Sequence, residues 1–313
     1  MKKILVTGAS GLLGLNFCNF LHNKYSVYGV CNHTHLLNAP FKEINLDLLK
    51  TSPEEMLDEY QPDVVLNCAA MANIDQCEKM REEALEINSV YPGKLAAAAG
   101  KKGIQFVHIS SDAVFDGENC GQNGYREEDA ANPVSRYGET KLLGERYVLD
   151  AYPGALVTRV NFYGWSLNGK RSLAEFFYNN LRDGNQVNGF SDVYFNPLYL
   201  HAFADILDEM ITLGASGLYH VFSHDPQSKY EFGVSIARQF GFDEKLIHPI
   251  SWRDAGLTAK RSPNMIINTD KLRGLLGHDL PTLKESMEYF YRDTVSGLRE
   301  QIRDFAGSQP AKE

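Results

Sequence analysis

What this 313-residue chain lacks narrows it before any motif is read. No apolar stretch approaches the roughly 20 residues that cross a bilayer. The opening run MKKILVTG is too short for a secretory signal and has no cleavage site behind it. A cytoplasmic location with no membrane partner is therefore expected. Basic runs are also missing. The net charge is −9 and the isoelectric point about 5.5, which argues against nucleic acid as a partner. Cysteine is sparse: Cys18, Cys31, Cys68, Cys77 and Cys120 are odd in number and show no C-x-x-C spacing. Neither a disulfide framework nor a metal site is expected, and a reducing compartment fits. Tryptophan is rarer still, with Trp165 and Trp252 alone. No internal repeat or low-complexity run interrupts the chain.

What is present is ordinary for a globular protein, with 43% hydrophobic and 23% charged residues. The length suffices for two domains, or one large domain with an appended lobe. Four nearly continuous apolar strands stand out at 3–7, 64–69, 105–110 and 156–160, with weaker ones at 26–31 and 41–45. Strands covered by helices on both faces read this way. Helical segments at 14–21, about 74–99 and 135–149 separate them. The alternation predicts an α/β fold, a doubly wound parallel sheet of Rossmann type with its ligand crevice at the carboxyl ends of the strands. After residue 161 the alternation is lost. Helices are expected at 173–182, 200–213, 230–240 and 283–292, with one strand at 217–222. The expected division is a dinucleotide-binding domain over 1–165, to which the chain returns around 192–223. A smaller, mainly helical substrate lobe takes 166–191 and 224–306, and 307–313 is a disordered tail.

Three local patterns carry chemistry. The first is Thr7-Gly8-Ala9-Ser10-Gly11-Leu12-Leu13-Gly14, a G-x-x-G-x-x-G turn directly after the first strand. Such a turn brings bare backbone to a diphosphate and aims a helix N-terminus at it. The second is Tyr137 and Lys141, the one Y-x-x-x-K pair in the sequence. Residues four apart share a helix face, and a cation held there lowers a phenol towards the working pH, making a general acid or base. The third is Ser110-Ser111-Asp112 at the end of the third strong strand. A hydroxyl there can meet a substrate carbonyl, or can simply turn the chain.

These segments resemble the extended short-chain dehydrogenase/reductases, and within them the dTDP-4-dehydrorhamnose reductase family. The carriers are the glycine turn, NCAA at 67–70, SSDAVFDG at 110–117, Asn132-Pro133 ahead of Tyr137, YGETK at 137–141, R-x-N-x-Y-G at 159–164, and the spaced Asp75, Glu78, Ala84 and Asn88. The resemblance implies an NAD(P)-dependent reductase of a keto group on a nucleotide-linked deoxysugar. Ser111 would hold the substrate carbonyl, Tyr137 would deliver the proton, and Lys141 would bind the nicotinamide ribose and tune Tyr137. Gly8, Ser10, Gly11, Leu12, Leu13 and Gly14 would cradle the cofactor pyrophosphate. Cys68, Ala69 and Ala70 would lie by the adenosine ribose, Asp47 and Leu48 by the adenine, and Ser110 beside the cofactor. Asp47 fits a loop aspartate capping the next helix equally well, and Asn88 a buried structural hydrogen bond. Asp112, Asn161, Phe162 and Arg261 would face the substrate.

The sequence also departs from the family. No carboxylate ends the second strand, where Asn32-His33-Thr34 stands in a run also holding Cys31 and His35. Without an acid to repel a 2′-phosphate NADPH is favoured, with NADH possible; the histidines read equally as solvent-exposed loop residues. Asn161-Phe162-Tyr163 replaces the family's aromatic segment and is reminiscent of nucleotide-sugar epimerases, which keep NAD tightly bound. A dehydratase is disfavoured, because Ala113 follows Asp112 where such enzymes carry Glu. A third class is the non-catalytic NADP-binding partner, such as the regulatory subunit of methionine adenosyltransferase. The oligomeric state, monomer or homodimer, stays open, since Leu15-Asn16 replaces the acidic residue some reductases use to dimerise.

Overall fold

The computed structural model describes residues 1–121, 123–254 and 262–306. Seven strands make one parallel sheet: β1 (Lys3–Thr7), β2 (Ser26–Cys31), β3 (Lys42–Asn45), β4 (Val64–Asn67), β5 (Gln105–Ser111), β6 (Leu156–Val160) and β7 (Gly217–Val221). Their spatial order is β7-β6-β5-β4-β1-β2-β3. The order reverses direction between β1 and β4, and that is where a doubly wound sheet opens its crevice.

The helices are α1 (Leu12–Leu21), α2 (Pro53–Tyr60), α3 (Ile74–Lys79), α4 (Arg81–Leu85), α5 (Tyr91–Lys101), α6 (Arg136–Ala151), α7 (Leu173–Arg182), α8 (Leu200–Thr212), α9 (Lys229–Phe240), α10 (Asp270–Leu276), α11 (Leu283–Val295) and α12 (Leu298–Asp304). Side chains alternate across each strand, so the two faces have separate cores. Leu5, Val65, Phe106 and Val157 pack with Met56 of α2, Leu95 of α5 and Val148 of α6. Ile4, Val6, Leu66, Val107 and Leu156 pack with Phe17 of α1 and Phe203 of α8. That second core runs on without a break into Phe177, Phe232, Met287 and Phe290 of the C-terminal helices. No helix of the described residues is long and apolar enough to cross a membrane.

The elements expected from the sequence differ in instructive places. The single helix expected over 74–99 is broken at Met80, whose backbone leaves the helical region (φ −116°, ψ 61°). It then passes through a π-helical turn, Glu86–Val90. Pro92 explains the wider turn, because it has no N–H to offer the Asn88 carbonyl four residues back. That carbonyl faces Gly144 so closely that a Cβ there would collide with it. Helix α2 escapes apolar periodicity, since only Pro53, Met56 and Leu57 are buried. Its signature lies in the cap: Ser52 accepts from the Glu55 N–H, and Pro53 occupies the first turn. The short helices α10 and α12 are likewise absent from the sequence reading. The tail expected over 307–313 lies outside the described residues.

Candidate active site

The glycine turn after β1 is built for a close backbone approach. Gly8 has φ +68°, and a Cβ on it would come within 2.9 Å of Ala69 Cα. A Cβ on Gly14 would collide with the Gly8 carbonyl. Gly11 precedes α1, and no side chain caps that helix. Its first N–H groups are thus left for an anion, reinforced by the helix dipole. The cradle fits a dinucleotide pyrophosphate. Ser10 and Leu12 line it half-buried, and Leu13 turns into the core.

Around this turn the structure places the other candidate cofactor residues at the carboxyl ends of the strands. Cys68, Ala69 and Ala70 follow β4, respectively half-buried, buried and exposed. The Ala69 N–H donates to Thr7 Oγ1 at 3.2 Å, tying the loop to β1. Asn32, His33 and Thr34 follow β2 and are exposed. Asp47 follows β3, where its Oδ1 accepts the Leu49 N–H at 3.1 Å. Asp47 thus shapes a turn and does not cap the next helix, since the cap of α2 is Ser52. Leu48 is buried and belongs to the core cluster that includes Met56 and Leu57 of α2 and Ala69 after β4.

The chemistry converges at the ends of β5 and β6. Ser111 ends β5, and its Oγ donates to Asp112 Oδ1 at 2.9 Å while accepting the Ala113 N–H at 3.2 Å. The same hydroxyl is close enough to the Tyr137 phenol to act on it. Asn161, just after β6, donates to Asp112 Oδ2 at 2.8 Å, with Phe162 half-buried beside it. Tyr137 sits in the first turn of α6 because Ser135 caps that helix, accepting the Gly138 N–H. Gly138 is needed there, since a Cβ would strike the Ala113 carbonyl. Lys141, one turn on, is 2% exposed and donates from Nζ to the Ile109 carbonyl at 2.6 Å.

The electrostatics correct one expectation. Tyr137 is not lowered towards neutrality: burial pushes its phenol up to about 12, Ser111 opposes the rise, and the Asp112 charge adds to it. The ammonium of Lys141 turns to the Ile109 carbonyl and is not among the groups acting on that phenol. Burial also brings Lys141 down to about 8, with Glu145 opposing the fall. Asp112 is raised by burial, against the pull of its Asn161 and Ser111 hydrogen bonds and the Lys229 charge. At neutral pH the site therefore holds a protonated phenol, with a buried ammonium one helical turn along α6. That is an acid poised to give a proton.

One further expectation changes. Ser110 does not face the crevice: its hydroxyl donates to Glu145 Oε1 at 2.6 Å on the opposite side of the sheet. Alternation along β5 makes this unavoidable once Ser111 points the other way. Arg261 lies outside the described residues. Asn88 follows its structural reading, accepting the Met71 N–H at 2.9 Å and donating to Thr140 Oγ1 at 3.0 Å. It thereby ties the loop after β4 to α6. Lys229, which opens α9, acts on Asp112 from the C-terminal lobe. Nothing in its sequence surroundings marks it.

Comparison with known proteins places this geometry. The RmlD substrate binding domain pattern matches residues 1–295. The Haloferax volcanii protein named probable low-salt glycan biosynthesis reductase Agl14 is 33% identical over 290 residues, 90% of this chain and 95% of that one. Methionine adenosyltransferase 2 subunit beta of Bos taurus is 30% identical, covering 93% and 89%. Among solved structures, the dTDP-4-dehydrorhamnose reductase of Bacillus anthracis in complex with NADP superposes with a TM-score of 0.82. It is 25% identical, over 93% of this chain and 99% of that one. The Clostridium acetobutylicum dTDP-4-dehydrorhamnose reductase gives 0.79 at 29% identity, over 94% and 99%. The chain belongs to the RmlD substrate binding domain family, the dTDP-4-dehydrorhamnose reductase-like group of the extended short-chain dehydrogenase/reductases.

Proposed function

We propose that this protein is an NAD(P)H-dependent reductase of a keto group on a nucleotide-linked deoxysugar. The observation that carries the reading is the meeting of the Ser111 hydroxyl with the Tyr137 phenol, one helical turn from Lys141 and beside a glycine cradle. A reduced nicotinamide supplies the hydride when bound. Gly8, Gly11 and Gly14 hold its pyrophosphate and Lys141 its ribose, and the missing carboxylate after β2 favours NADPH over NADH. Ser111 donates to the substrate carbonyl oxygen, polarising it. Tyr137 gives its proton to that oxygen as negative charge develops there. Burial keeps the phenol protonated, which is the form the reduction direction starts from. Lys141 stabilises the phenolate left behind. Asn161 and Asp112 form the wall facing the sugar.

The test is to incubate the protein with a panel of nucleotide-linked 4-keto-deoxysugars and follow the absorbance of NADPH. Turnover on one of them, abolished by Tyr137→Phe, is the expected result. Turnover that survives the substitution removes Tyr137 from the role of proton donor. A second reading, a non-catalytic NADP-binding partner of another enzyme, is favoured by the likeness to methionine adenosyltransferase 2 subunit beta. It predicts a stable partner in a pull-down and no turnover on any keto-sugar.

A further inference from the structure

Behind the site, on the sheet face covered by α6, lies a buried row of polar groups that the proposed chemistry does not use. Ser110, Arg159 and His220 stand in register on β5, β6 and β7. Their exposures are 3%, 3% and 0%, and Glu145 of α6, at 3%, closes over them. The Glu145 carboxylate is fully engaged. Oε1 accepts from Ser110 Oγ at 2.6 Å and from Arg159 Nε at 2.9 Å, and Oε2 accepts from Arg159 Nη2 at 2.7 Å. Arg159 also lies 4.9 Å over the Phe115 ring, with Nη1 at 3.4 Å from His220 Nε2. The His220 N–H donates to Glu127 Oε1.

A buried ion pair of this kind is weak evidence for stability, since desolvating two charges offsets much of their attraction. Its position is more informative. Glu145 is four residues beyond Lys141, as Lys141 is four beyond Tyr137, so all three share one face of α6. Lys141 anchors on the Ile109 carbonyl, one residue before the Ser110 that holds Glu145. We propose that Glu145, fixed between Arg159 and Ser110, is a positioning residue: its buried negative charge keeps the Lys141 ammonium charged and seated on the Ile109 carbonyl, one helical turn from Tyr137. The proposal rests on the reading of Lys141 as part of the reductase site.

The groups facing Lys141 are Tyr137 and Glu145 on its own helix, Cys68 after β4 and His108 on β5. Burial keeps the Cys68 thiol and the His108 imidazole uncharged at neutral pH, the first raised and the second well lowered. Glu145 is thus the anion among them. Removing it moves the Lys141 titration down by roughly one pH unit or more.

The experiment follows Lys141 directly by NMR in the whole protein with isotope-labelled lysine side chains, without cofactor, using K141R to assign the signal. The variants are E145Q, E145D and the double E145Q/R159M, which avoids stranding a buried arginine. Lys141 should titrate lower in E145Q, lower by a smaller interval in the double variant, which also removes the Arg159 charge, and near its wild-type value in E145D. In parallel, the alkaline fall in NADPH affinity, read by fluorescence, should move down by the same interval. A merely structural role would lower affinity at every pH without moving that fall. An unmoved Lys141 titration in folded E145Q overturns the proposal, as does failure of both neutral variants to fold while E145D folds. If Lys141 shifts but NADPH does not bind even the wild type, the positioning role stands and the reductase reading falls.

Discussion

The two ends of the crevice are built differently. At the nicotinamide end nearly every polar group is buried and committed. Thr7 donates to Asn67 at 2.6 Å, Asn67 pairs with His108 at 2.9 Å, and the Ser110–Glu145–Arg159 cluster lies two residues further along the sheet. At the adenosine end, Asn32, His33, Thr34 and His35 are exposed. The loop they open is held by His35 against Glu43 at 3.1 Å and by the Leu37 N–H donating to the Phe305 carbonyl at 2.8 Å. The lesson is a division of labour. In the proposed reading, proton transfer is set by the core, where a shift of an ångström is costly. Discrimination between the two nicotinamide cofactors would then rest on a surface loop that can change without disturbing the core.

The widest separation of the two ends comes from Tyr137→Phe. Turnover should fall by about 10²- to 10⁴-fold, the usual worth of a positioned acid. NADPH affinity, measured by fluorescence titration, should change little. Gly14→Ala should be nearly as damaging through another route. The new methyl collides with the Gly8 carbonyl, so cofactor binding should be lost and stability should drop by roughly 1–3 kcal/mol in a denaturant titration.

Intermediate effects come from pH. Lys141 is brought down to about 8 by burial, so its cation is complete below that pH and disappears above it. NADPH affinity should therefore weaken as pH rises past about 8. On the acid side, buried His220 is brought down to about 3 from an ordinary value near 6.5, first by desolvation and then by Arg159. His108 is depressed in the same sense. In this window the unfolded chain binds more protons than the folded one, so stability is full above about pH 6.5 and declines towards pH 3. Denaturant midpoints measured across that range should fall with pH, and His220→Gln should flatten the slope. The smallest effect belongs to the open end: His33→Ala should alter the NADPH-to-NADH affinity ratio by only a few-fold and leave turnover at saturating cofactor unchanged.

Much of this was legible in the sequence, for identifiable reasons. The apolar runs gave the sheet because strands buried on both faces have no solvent side to alternate with. The glycine turn, Ser111, Tyr137 and Lys141 stood out because their spacing is dictated by the ligand they would serve. What escaped was fixed by three-dimensional packing. Helix α2 is exposed on most of its surface, so its cap at Ser52 was a better signal than its hydrophobicity. The π-helical turn before Pro92 seats Asn88 against α6, a contact that spacing along the chain does not report. The expected lowering of Tyr137 failed because spacing gives no account of burial, and burial dominates that phenol. Ser110 could have been assigned to the far face by alternation from Ser111. Glu145 was reachable as well, by continuing the four-residue step beyond Lys141.

The most direct measurement uses NADPH carrying deuterium at the transferable position of the nicotinamide, with a nucleotide-linked 4-keto-deoxysugar that the protein turns over. Mass spectrometry should find one deuterium on the former carbonyl carbon of the sugar, with one NADPH oxidised for each alcohol formed. Sugar converted with its deuterium absent, or with no net oxidation of NADPH, would contradict reduction by the Ser111–Tyr137–Lys141 site.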